Sequence, residues 1–177
     1  MSVNSSKIWY TLFSYKRDAV NQTLNICIKY KSIEQTESCK YLGVLIDNHL
    51  KWNFHIDEVC NKIVKMTSIL YKIRSVLPNQ ALRNIYCGLV YPHTLYGIEL
   101  YGCADAIRLD KLIKRNNKIL CICHGKNLDC PLIDLYSAYC TLPIPALYEF
   151  KLLIFMFKNV HNNTCLPSIF RNNHIKL

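Results

Sequence analysis

From Lys51 onward the apolar residues change period. Phe54, Val59, Ile63, Met66, Leu70, Ile73 and Leu77 recur at helical spacing over about seven turns, and Pro78 ends the run. Before that point the chain reads differently. Trp9, Tyr10, Leu12 and Phe13 form an aromatic, β-favouring stretch, and Leu24, Ile26 and Ile28 alternate with polar or small neighbours as in a half-buried strand. A change from period two to period 3.6 within one short chain restricts the fold to α+β, mainly α. The expectation is a short antiparallel β meander over residues 1–46, followed by a helical bundle over 47–177.

The helical part divides at its breakers. Asn79 is placed to cap a second helix, in which Leu82, Ile85, Tyr86 and Leu89 share a face, and Tyr91-Pro92 interrupts or kinks it. Tyr96-Gly97 and Tyr101-Gly102 read as turns or close packing points. A third helix is predicted from about Ala104 to Cys123, with Leu109, Leu112, Ile113, Asn116, Ile119 and Leu120 inward. Pro131 starts a short helix to Tyr139, and a last helix runs from Ala146 to Val160.

At 177 residues with 51% hydrophobic and 19% charged residues, the chain is long and apolar enough to bury a core, and its composition is not that of a disordered segment. Its formal net charge of +10 favours an anionic partner, nucleic acid or an acidic membrane face, without choosing between them. The apolar window Phe150–Phe157 is interrupted by Lys151 and is far short of the roughly 18–20 residues that span a bilayer, so no transmembrane segment is expected. The start, Met1 to Lys7, is polar and has no signal-peptide pattern.

Ten cysteines at irregular spacings, several of them inside apolar runs (Cys27, Cys87, Cys121), read as reduced thiols rather than a disulfide framework. This points to an intracellular setting, with nucleus and cytoplasm left open. Cys121, Cys123, His124 and Cys130 have the residue types of a zinc site, but one residue between the two cysteines is the wrong spacing, and structural thiols are expected. Asp47, His49 and His55 look at first like an acid–base or metal cluster. Asp47-Asn48 fits a turn or helix cap better. His93, His161 and His174 stand alone. No Ser-His-Asp arrangement or phosphate-binding glycine loop is present, and no metal ligands are assigned.

Two predicted helices carry basic stripes. Lys62, Lys65 and Lys72, with Arg74 beyond them, lie beside the apolar seam of the first. Arg108, Lys111, Lys114, Arg115 and Lys118 do the same on the third. Cations three or four residues apart can track a phosphate backbone, though the same pattern also marks an ordinary solvated face.

The stretch Lys40-Tyr-Leu-Gly-Val-Leu-Ile-Asp-Asn-His-Leu-Lys-Trp-Asn-Phe-His55 carries a resemblance. It resembles the segment just after the catalytic core of reverse transcriptases encoded by non-LTR (LINE-like) retrotransposons, where a Tyr-Leu-Gly hairpin forms the primer grip. The resemblance extends along most of the chain. Asn4-Ser-Ser-Lys7 followed by Tyr10–Ser14 is similar to the fourth palm motif, with Ile8 where Thr is typical. Leu82–Gly102 is similar to the helix and turn after the palm, with Tyr101 where Trp is commoner. Asn116–Leu120, Leu142-Pro-Ile144 and Leu166-Pro-Ser-Ile-Phe170 continue the pattern.

The resemblance implies that residues 1–46 are the end of a palm and 47–177 a thumb with a helical extension. Tyr41, Leu42 and Gly43 would contact a primer, and Lys7 would lie near an incoming nucleotide. The bland readings beside these are a buried strand glycine and a strand-edge lysine. Such polymerases hold two Mg²⁺ on paired carboxylates, yet no adjacent Asp-Asp pair occurs in this sequence. The expectation is therefore a piece that begins after the active site, with no catalytic residues and no cofactor of its own, Mg²⁺ belonging to an intact parent. Its expected partners are a template–primer RNA or DNA backbone and the missing palm and fingers, with no membrane. The competing class is a stand-alone nucleic-acid-binding or protein-interaction module derived from a retroelement remnant. A small zinc protein is a third.

Overall fold

The computed structural model describes residues 8–14, 24–28, 30–125 and 131–161. It is mainly helical, with short strand pairs at the N-terminal side. The strands are β1 (Trp9–Tyr10), β2 (Cys27–Ile28), β3 (Lys31–Ser32), β4 (Glu34–Gln35), β5 (Ser38–Tyr41) and β6 (Val44–Asp47). The helices are α1 (Asn53–Ile73), α2 (Asn79–Ile85), a π-helical segment (Tyr86–Val90), α3 (Tyr91–Leu95), α4 (Ile98–Tyr101), α5 (Ala106–His124), α6 (Leu132–Tyr139) and α7 (Ile144–His161).

The antiparallel pairing expected from the alternating pattern occurs in two hairpins, β2–β3 and β5–β6. They do not join into one meander. β1 instead runs parallel to β4, with Trp9 opposite Glu34 and Tyr10 opposite Gln35. The Tyr10 hydroxyl holds Leu24, donating to its carbonyl at 2.7 Å and accepting from its amide at 3.1 Å. Leu24 and Ile26 are exposed, so their alternation does not mark a half-buried strand. Among the described residues before α1, only Ile33, Val44, Asp47 and Trp52 are buried. The core belongs to the helices.

α1 forms on the predicted period. Val59, Ile63 and Leu70 are buried, with Met66, Ile73 and Leu77 packed at the margin. Phe54 departs from this seam and is exposed, while His55 and Ile56 turn inward. The α1 seam packs on α5, whose Leu112, Ile119 and Leu120 are fully buried. Each such side chain withdrawn from water contributes roughly 1.5–3 kcal/mol.

Three hydrogen bonds run through this core. The Tyr86 hydroxyl donates to Asn116 Oδ1 at 3.0 Å, Asn116 Nδ2 to the Tyr136 hydroxyl at 3.3 Å, and that hydroxyl to Asn117 Oδ1 at 2.5 Å. The network ties the π-helix, α5 and α6 together. Burial pushes the Tyr86 and Tyr136 phenols above their ordinary values.

The second predicted helix departs from expectation in two ways. Pro78, not Asn79, occupies the N-cap position, without a side-chain cap bond. The helix also widens at Tyr86–Val90 just before Pro92, whose nitrogen cannot donate to an α-helical ladder. The extra residue in that turn rotates the downstream phase, so Val90 is buried and Leu89 is 51% exposed.

Gly102 packs without any space for a side chain. A Cβ there would meet Tyr148 Cδ2 at 2.3 Å and the Ile98 carbonyl at 2.7 Å. Among the described residues no single helix is long and apolar enough to cross a membrane; α6 and α7 reach that length and composition only together, bent by 48°.

Candidate nucleic-acid interface

The Tyr41-Leu42-Gly43 segment, read from sequence as a strand with a glycine inside it, is the tip of a tight hairpin. Tyr41 pairs with Val44, which leaves Leu42 and Gly43 as a two-residue loop with φ of 46° and 85°. Positive φ at both positions is the type I′ geometry that suits the twist of a hairpin. Glycine adopts it freely, whereas leucine is strained there. A distant turn supplies the support. The Tyr96 hydroxyl donates to the Leu42 carbonyl, and the Tyr96 ring lies where a Cβ on Gly43 would touch it at 3.4 Å. Gly97, at φ 71°, is pressed against Val44, whose Cγ2 would lie 3.2 Å from any added Cβ. Tyr41 and Leu42 themselves are 64% and 73% exposed. The hairpin tip thus has a fixed backbone and two free apolar side chains. Tyr96 is a residue that sequence reasoning did not single out for this task.

The junction between β6 and α1 is organised by Asp47. Its Oδ1 accepts from the amides of His49 at 3.2 Å and Lys51 at 2.9 Å, and its Oδ2 from the amide of Trp52 at 2.5 Å. The carboxylate is buried, and two residues it encloses, Leu50 and Trp52, have positive φ. This is the turn reading of Asp47. His49 joins it only through its backbone, its ring facing the Ser14 carbonyl at 3.3 Å. His55 is turned away into the core. Its Nδ1 accepts from the Leu45 amide at 3.3 Å, its ring meets Tyr101 edge-on at 5.0 Å, and its Nε2 is buried without a partner. Burial pulls its pKa below 6.5. The three residues do not converge on a common point as a metal or acid–base site requires.

The basic stripes lie on single faces of their helices, but they differ in how they are compensated. On α5, Lys111 binds Asp57 at 2.5 Å, Lys114 binds Asp110 at 2.7 Å, and Arg108 lies 3.7 Å from Asp105. Arg115 and Lys118 form no ion pair among the described residues. On α1, Lys62 binds Glu58 at 2.9 Å, and Lys40 from β5 reaches the same carboxylate at 3.2 Å. The two ammonium groups, Lys62 foremost, hold the Glu58 carboxyl below its ordinary value. Among the described residues Lys65 and Lys72 form no ion pair, and the Arg74 guanidinium lies over the Tyr71 ring at 4.3 Å. The pairs at i, i+4 were legible in the sequence. The Lys111–Asp57 pair joins two helices 54 positions apart and was not.

Lys7 and Cys130 lie outside the described residues, as do Lys16, Arg17 and the Leu166–Phe170 motif. Cys121 and Cys123 are buried, and burial raises the Cys123 thiol to about 11. No group of three or more potential metal-ligating side chains occurs among the described residues. Five of the described carboxylates are already engaged and do not fit the role of holding paired Mg²⁺. Asp47 is spent on backbone amides, and Asp57, Glu58, Asp105 and Asp110 are each paired with a cation.

No protein-family profile matches the chain, and no solved structure matches it. Two curated proteins do. The probable RNA-directed DNA polymerase from transposon X-element of Drosophila melanogaster is 25% identical over 122 residues, 67% of this chain and 13% of that protein. The RNA-directed DNA polymerase from mobile element jockey of Drosophila funebris is 28% identical over 124 residues, 68% of this chain and 13% of its own length. The chain thus has distant similarity to the reverse transcriptases of non-LTR retrotransposons, and it spans about one eighth of the relatives it matches.

Proposed function

We propose that this chain is a palm-end and thumb piece of a retrotransposon reverse transcriptase, without the catalytic carboxylates, and that it acts by contacting the backbone of a template–primer. The similarity to two RNA-directed DNA polymerases over about 120 residues carries the reading. Two structural features support it. The Tyr41-Leu42-Gly43 turn is braced by Tyr96 and Gly97, so its backbone is pre-set for close approach to a primer end. The helices that follow, α1 and α5, carry rows of cations of the kind that track a phosphate backbone.

The strands support a partner as well. Each described pair has only two strands, and Trp9 and Phe13 are exposed beside β1. Unpaired edges flanked by exposed aromatics are what remains when a sheet is cut from neighbouring strands. The rest of a palm is the partner that suits them. A second reading, an interaction module with a role apart from any polymerase, rests on α7, where Phe150, Leu153, Met156 and Phe157 are exposed.

Primer extension by the purified chain tests the proposal. With Mg²⁺ or Mn²⁺ and any template–primer, no nucleotide incorporation is expected. Metal-dependent incorporation that disappears on changing one of the chain's own Asp residues would overturn it.

A further inference from the structure

We propose that the C-terminal half of α1 is a binding site for unpaired nucleotides, single-stranded RNA or DNA, built from Lys65, Lys72, Arg74 and the exposed ring of Tyr71. The inference rests on the nucleic-acid reading above and goes beyond it in the place and class of ligand. Asn61, Lys65, Ser68 and Lys72 are all exposed and stand at i, i+4, i+7 and i+11, a nearly straight row about 16 Å long. From Val59 to Ile98 the sequence holds no Asp or Glu, so Lys65 and Lys72 have no acid within their own stretch to neutralise them. The α5 stripe differs, because Arg108, Lys111 and Lys114 already face carboxylates at 3.7 Å or less. A phosphate that binds at Arg108, Lys111 or Lys114 has to displace an existing ion pair. One that binds at Lys65 and Lys72 does not.

Tyr71 selects among nucleic acids. It is 57% exposed and lies about a quarter-turn round the helix from the lysine row, next to Lys72 in sequence, with the Arg74 guanidinium over its ring at 4.3 Å. Lys72 and Arg74 also complement the negative end of the α1 dipole, which accounts for the cations but not for an exposed aromatic beside them. A ring and a stacked guanidinium form a platform for a nucleobase face. In a duplex those faces are covered by neighbouring base pairs, so the platform favours unpaired nucleotides, while the lysines follow the phosphates without reading sequence.

The test uses fluorescence anisotropy of the full chain with a short labelled oligouridylate and, separately, a labelled RNA–DNA hybrid duplex. Tyr71→Ala is expected to weaken oligouridylate binding roughly tenfold and to leave the hybrid unchanged, with Tyr71→Phe retaining affinity. Lys65→Gln with Lys72→Gln is expected to reduce the slope of log affinity against log salt by about 1.4 for the single strand. All these side chains are exposed, and circular dichroism of each variant verifies the fold. Equal affinities of Tyr71→Ala and the parent chain, or an equal loss on both ligands, would overturn the stacking site. A larger loss from Lys114→Gln with Arg115→Gln would overturn its location while leaving nucleic-acid contact intact. Absence of salt-sensitive binding to either probe would overturn the underlying reading too.

Discussion

Replacing Asp47 by Ala removes the acceptor of three backbone amides at once. The Trp52 amide, 2.5 Å from Oδ2 and buried, loses a charge-assisted bond worth roughly 2 kcal/mol. The amides of His49 and Lys51 are only partly buried and regain water, so each loses about 0.5 kcal/mol. The sum is about 3 kcal/mol, a large share of the roughly 5–15 kcal/mol that stabilises an ordinary domain. For a chain of this length it corresponds to a fall in melting temperature of roughly 8 °C. Asp47→Asn keeps one oxygen for two of the amides but sets an NH₂ group against the third, and about 2 kcal/mol is expected. Urea unfolding followed by circular dichroism measures both. Hydrogen exchange at the Trp52 amide localises the effect, because that amide, at the N-cap of α1, is expected to exchange much faster than in the parent. A loss below about 1 kcal/mol for Asp47→Ala, or an Asn variant as stable as the parent, would refute the idea that this carboxylate holds the hairpin on the helix.

His55 is held neutral by burial, so its folded pKa lies below the 6.5 of the unfolded chain. Its contribution is therefore complete above pH 6.5 and is lost as pH falls from there through the folded value; urea midpoints across that range are expected to fall less steeply for His55→Asn. Gly102→Ala drives a methyl group into Tyr148 and a backbone carbonyl and is expected to cost 2 kcal/mol or more by urea unfolding, roughly the scale of core overpacking, whereas Gly88→Ala meets open space and is expected to be neutral or stabilising by up to about 1 kcal/mol. Asn116→Leu leaves the Tyr86 and Tyr136 hydroxyls buried with fewer partners and is expected to destabilise by roughly 2–4 kcal/mol, part of which returns when Tyr86→Phe is added. If the cysteines are structural thiols, chelator is expected to leave the melting curve unchanged and zinc analysis to find no stoichiometric metal.

The long periodic segments were legible because their period is set by burial of one face. Val59, Ile63 and Leu70 on α1, and Leu112, Ile119 and Leu120 on α5, lie inward as their spacing requires. Pro131 precedes the short helix and Pro143 the last one, which starts at Ile144 rather than the expected Ala146 and takes Pro145 into its first turn, where a missing N–H costs nothing. The strands were harder to read. β1 to β4 are two residues each and bury little, so alternation at Leu24 and Ile26 had no face to report. The turn at Leu42–Gly43 escaped the period argument because leucine rarely takes positive φ; Tyr96, from 54 positions later, is what holds it there. At the candidate interface the sequence displayed the cations but not their compensation. Lys111 looks as free as Lys65 until the fold brings Asp57 to it.

The π-helical turn at Tyr86–Val90 has a consequence for comparing this chain with others. A helix with one surplus residue has two rulers, one ending at Ile85 and another starting at Tyr91, and they are out of phase. Leu82 and Val90 both point into the core although eight positions with a π turn between them do not follow one α-helical count. A relative that lacks the surplus residue can keep every inward side chain on both sides by closing the turn, so a one-residue gap near the exposed Gly88 is structurally silent. An alignment forced through without that gap would instead set outward residues against inward ones over a full turn, and would understate kinship where the two proteins pack alike.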